Sequence, residues 1–377
     1  MAAAQVYDVA VVGGGPIGLA SAWRAAVRGL RTVVLDAGEP GAWHIAAGML
    51  APTAEAEFGE RALLELGLRS AAAYEAFCAE LAEVSGRDPG LRQVGTLVVA
   101  RDADEAEALE RLLAFRRSLG LEVERLRPSQ ARRAEPALAP TIRLALDVAG
   151  DHSIDPRRLV AALADGLERS GGELRRARVR SLRSAGSRVA GVELDGGDVL
   201  QAEAVVLAAG VSTPAIEGVP DAVPVRPVKG QVLRLRDPRG PGLVERTIRG
   251  EQCYLVPRGD GRYVLGATME ERGFDTAPTA GGVYELVRDM SEVVPGVLEL
   301  EIDELEAGLR PATPDNLPAI GHGALDGLVW ATGHHRNGIL LAPVTAELVA
   351  GALAGERLPD WAAAADPARF ARAEAAR

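Results

Sequence analysis

Apolar residues gather in short runs that stop at glycine, and between these runs lie stretches with apolar positions every three or four residues. Residues 6 to 12, VYDVAVV, form such a run and predict a strand buried on both faces. GGGPIGLASAWRAAVRG follows as turn and helix, ending at Gly29, a residue suited to a helix C-cap. RTVVLD repeats the buried-strand pattern, so the chain opens on a βαβ unit. Residues 70 to 85 predict a helix closed by Gly86, and GTLVVA (95 to 100) predicts a strand. DADEAEALERLLAFRRSLG predicts another helix, with Asp102 as N-cap and Gly120 past its end.

The pattern restarts at DHSIDP (151 to 156). There Asp155 and Pro156 suit the N-cap and first position of a helix with Leu159, Leu163 and Leu167 on one stripe. VAGVELDGGDVL predicts a hairpin turning at residues 195 to 198, and AEAVVLAAG (202 to 210) a buried strand ending in glycine. From 223 to 303 strand patterns dominate (VKGQVLRLR, CYLVPR, RYVLGATM), with one helix near 281 to 293. LVWATG (328 to 333) is a further buried strand meeting a glycine. One sheet can collect the small-residue-terminated strands of the first, middle and last parts of the chain. The expected class is therefore α/β. A Rossmann-like domain with a mostly parallel sheet and helices takes residues 1–85, 146–222 and 305–377. An α+β domain with a large antiparallel sheet takes 86–145 and 223–304.

Composition narrows the class. The 377 residues are 47% hydrophobic and 25% charged, as in a globular protein with a substantial core. A net charge of −11 argues against a nucleic-acid partner and gives no reason to expect binding to an anionic membrane. No apolar run approaches the roughly 20 residues that span a bilayer. With two cysteines, Cys78 and Cys253, neither a disulfide framework nor a thiolate metal cluster is available, which fits a reducing cytoplasm. The N-terminus lacks the basic region of a signal peptide.

Gly13, Gly15 and Gly18 form G-x-G-x-x-G between a strand and a helix, with Pro16 and Ile17 inside the turn. The first glycine permits the tight turn, the second lets backbone approach a pyrophosphate, and the third allows close helix–strand packing. Asp36 ends the next strand, where its carboxylate can accept ribose hydroxyls and disfavours a 2′-phosphate. The unit predicts a dinucleotide and leaves NAD and FAD open.

TGHHRNGILLAP (332 to 343) holds two adjacent histidines, which diverge on regular structure and cannot share a metal. No serine or cysteine elbow needs them as base, so no metal and no hydrolytic nucleophile is expected. Thr332 and Gly333 end a strand and Pro343 suits the first turn of a helix, a helix start that can stabilise negative charge. Arg310 can give a carboxylate two parallel bonds, or else pair with Glu306 or Asp315. Tyr254 can donate its hydroxyl or face the core as a plain strand residue. Met269 can line a pocket or sit in the core. Ala46-Ala47-Gly48-Met49 lets backbone approach a flat ring, or merely packs helices tightly.

IAAGMLAP (45 to 52), YLVPR with LGATM (254 to 269), and GLRPATPDNLPAIG with ATGHHRNGILLAP (308 to 343) together resemble the D-amino-acid oxidase family of flavoproteins. The resemblance covers nearly the whole chain and is closest to the glycine oxidase branch. It implies FAD rather than NAD, a Rossmann-like FAD-binding domain, a substrate-binding domain, and an active site between them. It puts Arg310 on the substrate carboxylate with Tyr254, Arg336 in the pocket, Met269 on an apolar wall and Gly48 beside the reacting atoms. It extends the FAD contacts from the glycine turn and Asp36 to Ala37, Ala42, Trp43, Ala47, Gly48 and Met49. Val179, Gly210 and the run His334, His335, Arg336, Asn337, Gly338, Ile339 and Leu340 complete them, with the backbone N–H groups of 337 to 340 facing the flavin. Ala42-Trp43-His44 departs from the hydroxyl residues that relatives often carry there. Gly308 stands near where the sarcosine oxidase branch has a tethering cysteine, and Cys253 should face away from Tyr254, so the FAD is expected to be non-covalent.

The activity implied is oxidative deamination of glycine, or of small amines such as sarcosine or D-alanine, to the imine and 2-oxo acid, with O2 reduced to H2O2. The implied setting is supply of glycine imine to thiamine thiazole-synthesis proteins, by a cytoplasmic homo-oligomer. Alternatives are a D-amino-acid or sarcosine oxidase or dehydrogenase with another substrate or acceptor, and a flavin-binding partner without turnover.

Overall fold

The computed structural model describes residues 6 to 375, and two eight-stranded sheets organise them. The first sheet is centred on Tyr7–Val12, whose near-complete burial matches its apolar run. Thr32–Asp36 and Val199–Leu207 flank it in parallel, and Glu173–Arg176 lies parallel beyond Thr32–Asp36. Leu328–Thr332 pairs in parallel with the later half of Val199–Leu207 and is followed by antiparallel Ala319–His322. The hairpin strands Val179–Ala185 and Arg188–Leu194 extend the earlier half of Val199–Leu207. The predicted hairpin strand and the predicted buried strand are thus one nine-residue element.

Helices Pro16–Val27, Pro156–Arg169, Arg61–Ser85 and Ala342–Leu353 pack together over this sheet. Leu159, Leu163 and Leu167 are fully buried, as their stripe requires, and Asp155 caps the helix by accepting the Arg157 and Arg158 N–H groups. The helix ending at Gly86 begins at Arg61, not near 70. Gly67 lies inside this helix, and its bare Cα faces Pro52 and Leu340, where a Cβ would come within 3.1 and 3.4 Å of them. Tertiary packing therefore recovers what the glycine loses in propensity.

The second sheet runs Glu301–Ala312, Arg226–Arg236, Arg262–Gly266, Tyr254–Pro257, Thr247–Arg249, Thr96–Ala100, Leu144–Val148, Glu124–Leu126. Every neighbouring pair is antiparallel except Thr247–Arg249 with Thr96–Ala100. Ala280–Val293 covers its core through Leu286, Met290 and Val293. A small sheet joins Met49–Leu50, His152–Ile154 and Leu91–Arg92. The mixed class expected from the patterns is the class observed.

Two strands cross positions where a change of domain was expected. Leu144–Val148 stays in the second sheet through residue 146, and Glu301–Ala312 stays there through residue 305, paired with Arg226–Arg236 up to Arg226↔Ala312. The sheet change therefore follows Ala312, because ladder pairing with Arg226–Arg236, despite one register shift between Arg234 and Leu235, holds the strand beyond its last strongly patterned residue. At its end Ala312 forms an antiparallel bridge with His334. Among the described residues no helix is long and apolar enough to cross a membrane.

Candidate active site

The strands of the first sheet end at Gly13, at Ala208–Gly210 and at Gly333, and one cavity of about 1930 Å³ opens there. Gly13 has φ +110°, and a Cβ on it would lie 2.4 Å from the Ala208 carbonyl oxygen. A Cβ on Gly18 would lie 1.9 Å from the Gly13 oxygen, so both glycines are required by packing. Gly15 differs: only Trp43 comes near its would-be Cβ, at 3.5 Å, and its backbone lines the cavity at the start of Pro16–Val27. Asp36 fixes the turn, accepting the Gly14 N–H at 2.6 Å and the Gly38 N–H at 2.7 Å.

Pro16, Ile17, Ala37, Ala42, Trp43, Ala47, Gly48, Met49, Val179 and Gly210 all line the cavity. Gly48 has φ +77°, and a Cβ there would meet the Ile154 oxygen at 2.0 Å. Three of the expected contacts lie behind the lining. Gly18 backs onto Gly13; Asn337 is buried with its N–H on the His334 carbonyl at 2.8 Å; Leu340 is core, packed toward Gly67. Of the 337-to-340 run, Gly338 and Ile339 reach the cavity.

Arg310 enters from Glu301–Ala312, opposite Val228. Its guanidinium passes over Gly230, where a Cβ would lie 2.3 Å from Nη2. Nη1 donates to the carbonyls of Thr268 at 3.1 Å and Lys229 at 3.3 Å. Neither ion pair weighed from the sequence forms: Glu306 is taken by Arg157 at 2.9 Å and Asp315 by Arg369 at 2.8 Å. Among the described residues Arg310 has no carboxylate within 4 Å, and burial lowers its pKa. Tyr254 lies over Gly266, its register partner, with its hydroxyl 2.7 Å from where a Cβ would be. Burial raises its pKa, so the hydroxyl keeps its proton. Cys253 is buried in the core beneath Ala280–Val293, while Tyr254 packs with Val256 and Val264, the alternation expected of the strand.

Met269 lines the cavity but is 63% exposed, at its mouth and outside the core. Arg336 also lines it, and three carboxylates surround it: Glu57 at 3.6 Å, Glu60 at 3.7 Å and Glu55 at 3.9 Å. Burial works to lower its pKa, yet these carboxylates outweigh burial and raise it. The free positive charge expected of Arg336 is thus largely offset. Glu55 also accepts from Arg249 at 2.9 Å. Sequence reasoning missed Glu55, Glu57, Glu60, Arg249 and the seats Gly230 and Gly266; the acid-rich TAEAEFGE was the one available signal.

The histidines diverge. His334 is buried, bonds Thr345 Oγ1 through Nε2 at 3.0 Å, and is held neutral by burial with its pKa near 3. His335 sits at φ +47°; burial, then Arg310 and Arg336, lower its pKa to about 4. Its Nε2 is buried without a partner among the described residues. His44, Glu304 and Glu306 lie within 4.8 Å of one another, but Arg157 bonds all three and Arg234 stands beside both acids, so the cluster is charge-balanced.

Residues 8–352 match the family described as FAD dependent oxidoreductase. The chain belongs to that family. It is 37% identical over 353 residues to a glycine oxidase of Geobacillus kaustophilus, covering 91% of this chain and 92% of the relative. The crystal structure of glycine oxidase from that organism superposes with a TM-score of 0.90 at 35% identity, covering 97% of this chain and 99% of that one. The bifunctional protein ThiO/ThiG of Trichormus variabilis is 35% identical over 91% of this chain, which spans 52% of that longer protein. A hydrogen cyanide synthase subunit, HcnC, of Pseudomonas aeruginosa is 30% identical over 94% of each chain. This family member is an FAD-dependent amine oxidoreductase. The cavity fits FAD: an open glycine turn at a helix start lies at one end, and the orphaned His335 Nε2 marks the lining.

Proposed function

We propose that the chain oxidises glycine, and small amines such as sarcosine or D-alanine, to the imine, which water hydrolyses to the 2-oxo acid and ammonia (methylamine from sarcosine), with O2 as acceptor and H2O2 as product. The observation that carries this reading is Arg310: a half-buried guanidinium with no carboxylate within ion-pair distance among the described residues, facing the cavity that holds the dinucleotide turn. FAD, when bound, supplies the two-electron acceptor for the substrate Cα–H. Gly15, Pro16 and the helix start would hold its pyrophosphate, Asp36 its ribose, and Ala47 to Met49 with Gly338 and Ile339 its ring system.

Arg310 binds the substrate carboxylate in a forked pair, and the Tyr254 hydroxyl donates to the same group. Together they hold Cα in one place, so positioning carries most of the rate enhancement. Arg310 lowers the pKa of the substrate ammonium, since like charge disfavours the protonated amine. Arg336 adds little to this, because Glu55, Glu57 and Glu60 offset its charge. His335 is too weak a base to take the proton at neutral pH. The amine therefore loses its proton to solvent, and Met269 shields the mouth on one side.

The FAD is held without a covalent bond, a reading supported by glycine at 308 and by the burial of Cys253 in the core. The relatives named ThiO/ThiG support a role in supplying thiamine thiazole synthesis. A cytoplasmic homo-oligomer, with its two buried cysteines unpaired, belongs to the same reading. The resemblance to the hydrogen cyanide synthase subunit favours one second reading, in which the imine loses a second pair of electrons, passed like the first to the flavin and on to its acceptor, and leaves as hydrogen cyanide and CO2. The test is the visible spectrum recorded anaerobically before and after glycine, followed by air. Bleaching by glycine and recovery in air with stoichiometric peroxide and glyoxylate support the proposal. Cyanide in the mixture favours the second reading. Bands unmoved by glycine, sarcosine and D-alanine overturn both.

A further inference from the structure

Asp151 lies just behind the wall of the cavity and is 1% exposed. Its Oδ2 accepts the Ala54 N–H at 2.5 Å and its Oδ1 the Thr53 N–H at 3.2 Å. From the other side Arg116, 2% exposed, donates Nη2 to the Ala54 carbonyl at 2.5 Å. Both backbone polar groups of Ala54 are thus held by buried side chains of opposite charge. The next residue is Glu55, which lines the cavity, binds Arg249 and faces Arg336. The charges of Glu55 and Arg336 both act on Arg310. Hydrogen bonds and ion pairs therefore run from Asp151, outside the cavity, through Ala54 and Glu55 to Arg249 and Arg336, and the charges of Glu55 and Arg336 reach the Arg310 seat through space.

We infer that Asp151 is a positioning residue for substrate binding: by fixing the Thr53–Ala54 backbone it sets Glu55, and through Glu55 the arginines 249 and 336 around the seat at Arg310. The inference rests on the reading of Arg310 given above. A turn that only needed closing could be closed by a neutral amide, because an uncompensated buried carboxylate is costly. Here the carboxylate is kept, and the residue it orients carries the acid that offsets two pocket arginines. Burial pushes the Asp151 pKa up to about 7, against the pull of its two N–H donors. The charged groups facing it are Arg116 and Glu55, with His152 next along the chain. Gaining a proton weakens its charge-assisted bonds to the turn and removes the charge that Arg116 faces.

The test uses FAD-saturated enzyme and glycolate, a glycine isostere without a titrating amine, with Kd read from the flavin absorbance between about pH 5.5 and 8.5. The wild type should lose affinity by roughly tenfold as pH falls, centred near 7. Asp151→Asn should bind glycolate with the weaker Kd throughout and show a flat profile, with FAD affinity unchanged. Should Asp151→Asn fail to fold, Glu55→Gln breaks the chain downstream and should flatten the same profile. A variant that lowers thermal stability yet keeps the wild-type Kd and its pH slope makes Asp151 a structural staple and overturns the inference. A wild-type spectrum insensitive to glycolate overturns the reading of the pocket itself, and the inference with it.

Discussion

The guanidinium of Arg310 lies over the bare Cα of Gly230, on the strand paired with its own, so close that a methyl group would meet Nη2 at 2.3 Å. Gly230→Ala should push Arg310 out of its seat and raise the KM for glycine by about tenfold or more, an overpacking effect of roughly 1–3 kcal/mol. FAD content should not change. A KM within a factor of about two of wild type would mean that the guanidinium has another resting place.

Arg310→Ala should raise KM on the order of 100-fold, about 3 kcal/mol for a lost charge-assisted pair, again with full flavin content. Steady-state kinetics beside the flavin spectrum check it. A change below about threefold would make Arg310 structural.

The three glycines of the turn should separate by variant. Gly13→Ala and Gly18→Ala place a methyl at 2.4 and 1.9 Å from backbone oxygens and should impair folding. Gly15→Ala meets only Trp43, at 3.5 Å, and should fold with near-wild-type circular dichroism while losing FAD affinity by about tenfold or more. Equal damage from all three would place Gly15 in the packing and not at the cofactor.

His334 and His335 have pKa values lowered to about 3 and about 4, below the usual 6.5, so the unfolded chain binds protons that the folded chain refuses. Their contribution is fully present above about pH 6.5 and is lost as pH falls toward 4. Asp151, raised to about 7, works in the opposite sense, since the folded chain binds its proton first. With two histidines against one carboxylate, Tm should fall between about pH 6.5 and 4.5. His334→Gln, which can still bond Thr345, should reduce that fall. An unchanged slope would locate the acid sensitivity elsewhere.

What could be read ahead of the structure followed from how local each signal is. GGGPIG, with a strand before it, a helix after it and Asp36 at the end of the next strand, carries its geometry in contiguous residues, and the structure reproduces that order; the bond from Gly14 N–H to Asp36 is an addition the sequence did not announce. Asp102 and Asp155 as N-caps are equally local. Gly230 and Gly266 could not be recognised as seats, because each faces its side chain across a strand register that no short stretch encodes. Arg336 looked like a free cation since its three glutamates lie nearly 300 residues earlier in the chain, in a segment that reads as a solvated acidic loop. Leu340 and Asn337 were placed on the cofactor through their backbone for their position in a motif; both residues are buried, and the Asn337 N–H is taken by the His334 carbonyl, which no local pattern announces.

The bridge between Ala312 and His334 ties the strand of Arg310, the proposed carboxylate seat, to the turn of residues 333 to 335 that lines the cavity. The two jaws of the proposed site are therefore joined by backbone pairing, and together they act as a caliper. A caliper measures the distance from carboxylate to reacting carbon, which every α-amino acid shares. It is blind to the side chain, so discrimination among amines has to come from whatever stands at the open mouth beside Met269, and substitutions there should change which amine is taken without touching the gauge.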